Sequence, residues 1–335
     1  MAKARELLDR FDRFQQRHPP LAITFAVLRK FSDDGAGNRA ALIAYYGFFS
    51  IFPLLLLLTT ILGFVLAGDP SAQEAVRNSV LKQIPVVGGS LRAGSLHGSG
   101  LGLAVGLVGA LLSGMGVTMA TQNAFNTVWA VSHKDRPNFL DARWRSLRLL
   151  VVIGLLQLIA TAAAGLVAGG LGGVLLTLAG IIVALLLDFV MFFAVFRLMT
   201  DSVVPTRQLW PGIAIASVAW DLLQALGGIY IGHVVKADGH TYGTFAVVIG
   251  LLVWLYLGAR VVVYAAEINV VLTRRLWPRS LFGDPELVAD RRALESLAKI
   301  EERHKDETVD VTFDSTDSGV TRRESSGDAP APAAD

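Results

Sequence analysis

The chain contains no cysteine, which excludes thiol nucleophiles, disulfides and cysteine-ligated zinc or iron–sulfur centres. Charge is also scarce: 17% of the 335 residues are Asp, Glu, Lys or Arg, against 53% hydrophobic residues. That is too little polar surface for a water-soluble protein. The six histidines (His18, His97, His133, His233, His240 and His304) are scattered through expected loops and tails. Neither a His-x-x-x-His spacing nor a paired-carboxylate signature accompanies them, and His97, His233, Asp238 and His240 on an outer face make too sparse a set to expect a metal. A nuclease needs clustered acids or metal ligands beside a basic groove, and neither is found. No Walker-type phosphate loop occurs, and the glycine-rich stretches lack the strand–turn–helix setting of a dinucleotide site. The sequence therefore points away from an enzyme and toward no cofactor. Lys3, Arg5, Arg10, Arg13 and Arg17 interrupt the N-terminus, so a cleavable signal peptide is not expected there either.

What is present in quantity is long apolar sequence. A helix rises 1.5 Å per residue and must cross about 30 Å of hydrocarbon, so each span needs roughly 20 residues without charge. Six apolar stretches of that length emerge, at 40–67, 101–124, 149–171, 174–196, 209–231 and 245–272, the first three free of charge and the others carrying Asp188, Asp221, and Arg260 with Glu267 respectively. The third and fourth form one apolar run that must fold back, and the glycines of 169–173 mark the turn. The fold class expected is all-α: a polytopic membrane protein of six transmembrane helices with amphipathic interfacial helices.

Lys and Arg counts orient it, because connections rich in them stay cytoplasmic. The N-terminal segment carries 8, the connections after the second and fourth spans carry 5 and 2, and the C-terminal tail carries 10. Only Arg77, Lys82, Arg92 and Lys236 fall on the other side, with Arg260 inside the last span. Both termini are expected in the cytoplasm. The organisation read from this is a cytoplasmic amphipathic segment over 1–39, a six-helix domain over 40–272, a cytoplasmic helical segment over 273–304, and a tail over 305–335 whose polar composition cannot offset ordering. Leu7, Leu8, Phe11 and Phe14 share one face of a basic helix ended by His18-Pro19-Pro20. A second amphipathic stretch, 21–31, suits either the headgroup region or the protein's own cytoplasmic surface. A third, from Asp69-Pro70 to Pro85, is expected on the outer side.

Charges within spans are costly, about 2.5–3.5 kcal/mol each at mid-bilayer, and demand a partner or a wet cavity. Asp188, Asp221 and Arg260 lie at heights compatible with contact. Tyr256, Arg260, Tyr264 and Glu267 follow at i, i+4, i+8 and i+11, within one 80° stripe at 100° per residue. These six residues are the candidates for a substrate path; a buried network that merely pins helices together is the competing reading. A second polar group gathers near the cytoplasmic ends of the first two spans, where Arg39, Tyr45, Tyr46 and Ser50 would face Gln122, Asn123, Asn126 and Trp129; Asn269 joins them from the last span. Gly98, Gly102, Gly106, Ala110, Gly114 and Thr118 form a stripe of small residues that suits close helix packing, within the chain or between protomers.

The segment Asn38–Pro53, NRAALIAYYGFFSIFP, resembles the opening of the YihY/BrkB family of bacterial inner-membrane proteins. Tyr242–Asn269, with Gly243, Phe245, Gly250, Trp254, Tyr256, Glu267 and Asn269, resembles that family's closing helix, and Asn126 with Trp129 its middle motif. The likeness covers roughly 20–275 and comes nearest the YhjD-like subgroup. Ala266 departs from it, since the family has glycine there, and a tight helix contact at that point is not expected. The resemblance implies six spans in the bacterial cytoplasmic membrane. It also brings an old ribonuclease BN label, to which the residues give no chemical basis, and an association with lipid export and envelope homeostasis. The expected function is transport or flipping of a lipid or another amphipathic envelope component; the alternative is a non-transporting scaffold for envelope homeostasis. The partners expected are membrane lipids, with envelope proteins and a second copy of the chain beyond them, and no nucleic acid.

Overall fold

The computed structural model describes residues 2–65, 100–168, 174–200, 204–234, 243–281 and 287–313. The outer helix expected before Pro85, the glycine turn at 169–173, and His97, Asp238 and His240 lie outside these residues. Every helix or strand among the described residues is a helix: α1 (Ala2–Arg17), α2 (Pro19–Asp33), α3 (Ala36–Val65), α4 (Gly100–Val128), α5 (Phe139–Ala168), α6 (Val174–Met199), α7 (Trp210–Val234), α8 (Gly243–Thr273) and α9 (Val288–Lys299), with single 3-10 turns at His133–Asp135 and Thr206–Gln208. Four contain a stretch long and apolar enough to cross a membrane: Ala36–Ile61, Gly100–Val128, Ile182–Met199 and Val248–Thr273. The other two long helices, α5 and α7, have 30 and 25 residues and pack alongside them. His233 falls in the last turn of α7 rather than in a loop.

From α3 to α8 each helix packs on its neighbour in sequence, and α8 closes the ring by packing on α3. Residues without side chains set how closely these helices approach. A methyl group added at Gly106 would lie 2.9 Å from the Leu57 backbone nitrogen, and one at Gly109 would lie 3.0 Å from Pro53. The Tyr46 ring fills the notch at Gly116. The small-residue stripe of α4 does not serve a single neighbour, however, because Gly114 receives Leu150 of α5 instead. The antiparallel pair α7 and α8 interlocks reciprocally: the Trp220 ring covers Gly258, and the Trp254 ring covers Gly227. At the far end of this pair Gly212 abuts the Ala265 carbonyl and the Asn269 amide. A tight contact thus does occur beside the fully buried Ala266. The glycine that permits it lies on α7, on the opposite side of the contact from the position where family likeness expects one.

α4 ends with Ala130 in the left-handed region (φ 49°), where Val131 N–H donates to the Asn126 carbonyl at 2.7 Å. This is a Schellman-type stop, normally a glycine position. α8 ends the same way at Arg275 (φ 52°), with Leu276 N–H on the Val271 carbonyl. The α2–α3 corner uses Gly35 at φ 59°, a conformation glycine adopts without strain.

Beyond the long helices the two ends of the chain fold together. Arg279 is fully buried: its Nε meets Asp290 Oδ1 at 2.9 Å and its Nη1 meets Asp33 Oδ2 at 2.7 Å. Its carbonyl accepts a bond from Gln15 Nε2 at 2.8 Å, while Leu281 N–H donates to Asp12 at 3.1 Å. Arg29 adds a bond to the Ser280 carbonyl. The segment 300–309 then crosses the α4–α5 connection, with His133 N–H on the Ile300 carbonyl (3.1 Å) and Lys134 Nζ on Glu302 (2.8 Å) and on the Glu307 carbonyl (2.7 Å). Contacts with the rest of the chain continue past residue 305, with Lys134 on the Glu307 carbonyl and Val309 N–H on Glu302 at 3.0 Å. Polar side chains, rather than apolar burial, hold those residues.

The two kinds of glycine separate in a stability measurement. Gly106→Ala forces a carbon against backbone and is expected to lose about 1–3 kcal/mol by overpacking. Gly154→Ala meets open space and is expected to gain up to about 1 kcal/mol from helix propensity. Thermal unfolding of the two variants in detergent checks both, the first falling by several degrees and the second holding or rising. Acid tests the tail contact. Hydrogen bonds from Lys134 hold the Glu302 carboxyl below its usual range, and the Arg303 and His304 amides do the same for Glu307. Depressed carboxyl values mean that the contact is complete above the unfolded value, about 4.3, and is lost as pH falls below it through the folded values. A spin label at residue 305 is expected to stay immobilised at neutral pH and to become mobile in that acid range.

Candidate functional site

The inward arc of α2 carries Ala22, Ala26 and Val27, and one charged residue, Lys30. Only 4% of that side chain is exposed. Its ammonium has three oxygens within reach: Asp34 Oδ2 at 2.5 Å, the Val128 carbonyl at 2.9 Å, and Glu267 Oε2 at 3.0 Å. Of the three protons an ammonium can donate, two go to Asp34 and the Val128 carbonyl, and Glu267 stands at ion-pair distance. The three oxygens come from the α2–α3 corner, the end of α4 and α8. The Glu267 contact is a close ion pair rather than an aligned hydrogen bond, and the Glu267 side chain is fully buried. Arg274 donates to the Trp129 carbonyl, the next in line after Val128. Two cations thus sit on carbonyls that the end of α4 leaves without intrahelical partners, where the helix dipole also favours positive charge. Burial raises the Asp34 carboxyl above its usual value, outweighing the attraction of Lys30. Burial pulls the Arg274 guanidinium down, offset in part by Asp34.

One to two turns back along α8 from Glu267, the rest of the polar stripe assembles around Arg260. Its Nη2 donates to the Tyr264 hydroxyl at 3.1 Å. The guanidinium lies 5.4 Å from the Tyr264 ring centre, 5.6 Å from that of Tyr256 and 5.5 Å from that of Phe31. Phe31, from α2, stacks on Tyr264 with centroids 3.9 Å apart and planes 11° apart. Among the described residues no carboxylate pairs with Arg260. The expected approach of Asp188 and Asp221 to it does not occur, because the stripe faces α2 while the two acids meet each other. Asp188 and Asp221 face one another across the α6–α7 contact, within reach of a shared hydrogen bond.

The second polar group separates into unrelated parts. Tyr45 turns outward, 54% exposed, against Tyr46 and Phe49. Tyr46 packs over Gly116, Ser50 bonds the Gly47 carbonyl within its own helix, and Asn123 is exposed. Arg39 Nε donates to the Asp34 carbonyl at 3.3 Å, within electrostatic reach of Glu267, and so belongs with Lys30. Gln122 and Asn126 are buried on α4, as is Trp129 just past its end. Asn269 plays a structural part, since its Oδ1 accepts from Gly212 N–H at 2.7 Å and its Nδ2 donates to the Leu209 carbonyl at 3.1 Å, fastening the start of α7 to α8. Sequence reasoning does not single out Lys30, Asp34 or Phe31. The available signal is a single lysine on the apolar arc of α2 with an acid four residues on. No group of His, Asp or Glu suited to a metal occurs among the described residues.

These features define a multi-pass α-helical membrane protein in which, among the described residues, the buried ion pairs gather at one end of the bundle. The family model for virulence factor BrkB matches residues 27–283, from the Lys30 helix to just beyond Arg279. The chain belongs to that family. It is 24% identical over 277 residues to the inner membrane protein YhjD of Escherichia coli, covering 75% of this chain and 81% of that one. It is 23% identical over 256 residues to YfkH of Bacillus subtilis, whose name includes the words ribonuclease-like, covering 71% and 90%. A UPF0761 membrane protein of Chromohalobacter salexigens is 27% identical over 265 residues, covering 74% of this chain and 62% of its own length. No solved structure matches the chain.

A stability cycle tests the buried pair. Lys30→Met leaves Glu267 without its cation and is expected to cost about 3–5 kcal/mol, whereas adding Glu267→Gln removes the stranded charge and should recover part of the loss. Denaturation midpoints of the wild type, both single variants and the double variant measure that coupling; additive losses would show the two groups to be independent.

Proposed function

We propose that the protein moves, or presents for movement, a lipid or another amphipathic envelope component with an anionic headgroup, and that Arg260 receives that headgroup. The observation that carries this reading is the state of Arg260: a half-buried cation inside a membrane-spanning helix, ringed by Tyr256, Tyr264 and Phe31 and bonded to one hydroxyl, with no carboxylate to neutralise it among the described residues. Such a charge is costly in a membrane, and a phosphate or carboxylate headgroup would offset that cost. In this reading α5 and α7 complete six spans in the bacterial cytoplasmic membrane with both termini in the cytoplasm. Tyr256 and Tyr264 line the approach, and Glu267 closes its cytoplasmic end by holding Lys30. Asp188 and Asp221 form a separate polar contact in the bundle.

One observation favours a second reading, a membrane scaffold that transports nothing. Lys30 is engaged by Glu267, Asp34 and the Val128 carbonyl at once, as a group that only holds helices together would be. The two readings part in reconstituted vesicles. A fluorescent anionic phospholipid is expected to cross between leaflets faster with wild-type protein than in protein-free vesicles. Arg260→Ala should abolish the gain while leaving thermal unfolding nearly unchanged, and Arg260→Lys should restore part of it. No acceleration by folded wild type, or full acceleration by Arg260→Ala, would reject this role for Arg260. The topology is tested apart from this, by reporters fused after residue 313 that are active only in the cytoplasm or only outside it.

A further inference from the structure

α2 has two apolar faces. The inward face packs on the bundle; the outward face carries Leu21, Phe25 and Leu28, with Leu28 47% exposed. α1 folds back beside it so that Phe11 meets Phe25 edge to face at 5.7 Å, and Phe14, 50% exposed, packs on His18. The result is one continuous apolar surface across a helical hairpin that precedes the first span. Exposed aromatic and aliphatic side chains gathered on one face, with Phe11, Phe14, Leu21 and Leu28 among them, mark an interaction surface.

We infer that this outward face of the α1–α2 hairpin lies in the headgroup–acyl boundary of the bilayer leaflet where α3 begins, and that its occupant is an anionic lipid surface. Three observations place it there. Only Asp34 and Gly35 separate α2 from α3, so the hairpin cannot leave the membrane surface. α8 has 31 residues, about 46 Å, against about 30 Å of hydrocarbon, so one end extends past the hydrocarbon, and the end that carries the buried polar residues Glu267 and Asn269 is the one suited to the headgroups. α2 is fastened to the side of that end through Lys30–Glu267 and Phe31–Tyr264, which sets its outward face sideways into the headgroup layer rather than toward the cytosol. The charge agrees as well: Arg13 and Arg17 are exposed along α1, while the acid between Phe11 and Arg13, Asp12, is turned inward onto Leu281 N–H. Aromatic and aliphatic side chains on one face with arginines along the edge are what an interfacial helix needs, its apolar side sinking about 5–10 Å into the boundary. This placement depends on α3 spanning the membrane and not on what the protein transports.

A chain without cysteine allows a direct test. Phe14→Cys and Leu28→Cys, each labelled with an environment-sensitive fluorophore, are reconstituted as full-length protein in vesicles of phosphatidylcholine alone or with phosphatidylglycerol. Arg303→Cys, 74% exposed at its side chain on the C-terminal segment, serves as the water-facing reference. The two hairpin labels are expected to be blue-shifted and quenched several-fold more strongly by shallow lipid-attached quenchers than the reference. The difference should grow with phosphatidylglycerol and shrink at high salt. Hairpin labels as open to a water-soluble quencher as the reference would overturn the inference. So would labels shielded from both quenchers, the pattern of a face covered by a second copy or another protein. Lipid-movement assays read nothing in this experiment, so the proposed transport can fail while this placement stands.

Discussion

A single ammonium group joins the parts of this molecule that matter to one another. Lys30 would be expensive to bury alone, and it is buried because three elements each bring it an oxygen. Its position next to Phe31 makes the consequence wider than one ion pair. With Lys30 fixed on Glu267, Phe31 is fixed over Tyr264, and the aromatic enclosure of Arg260 is completed from outside the helix that carries it. The polar stripe is thus a joint product of α8 and a short helix preceding the first span.

That division explains what could be read from the sequence and what could not. The long helices were legible because each is an apolar run of the length a bilayer demands with at most two charges inside it, and the stripe at Tyr256, Arg260, Tyr264 and Glu267 was legible because one helix supplies it at a fixed angular period. Partners across helices were not. Depth alone suggested Arg260 with Asp188 and Asp221, but depth does not fix which way a helix is turned. The turning is set by where bulky rings find glycine notches, as Trp220 does at Gly258 and Trp254 at Gly227. The supposed cluster of Arg39, Tyr45, Tyr46, Gln122, Asn126 and Asn269 came apart for the same reason. Asn269 proved to bind the backbone at the start of α7, and backbone groups carry no sequence signature.

The polar cap follows a different logic from the bundle. Arg279, Asp290, Asp33, Gln15 and Asp12 make a network among segments far apart in the chain, all outside the long apolar helices. Apolar area drives little specificity in such thin layers, whereas directed hydrogen bonds among buried charges fix one arrangement. The cap closes over the side of the bundle where the stripe ends, so Glu267 and Lys30 are bordered by residues from both ends of the chain.

The cap also imposes an order on biosynthesis. Arg29 and the Ser280 carbonyl it binds are separated by 251 residues. At about 5–20 residues per second, the hairpin is made tens of seconds before its counterpart leaves the ribosome. The α4 carbonyl is made 98 residues after Lys30, but for most of that interval Lys30 lacks Glu267 and the inward face of α2 lacks α8, on which it chiefly packs. The newborn N-terminal segment must wait at the membrane with its first span until α8 arrives, so the last long helix to be inserted is the one that locks the earliest part of the protein in place.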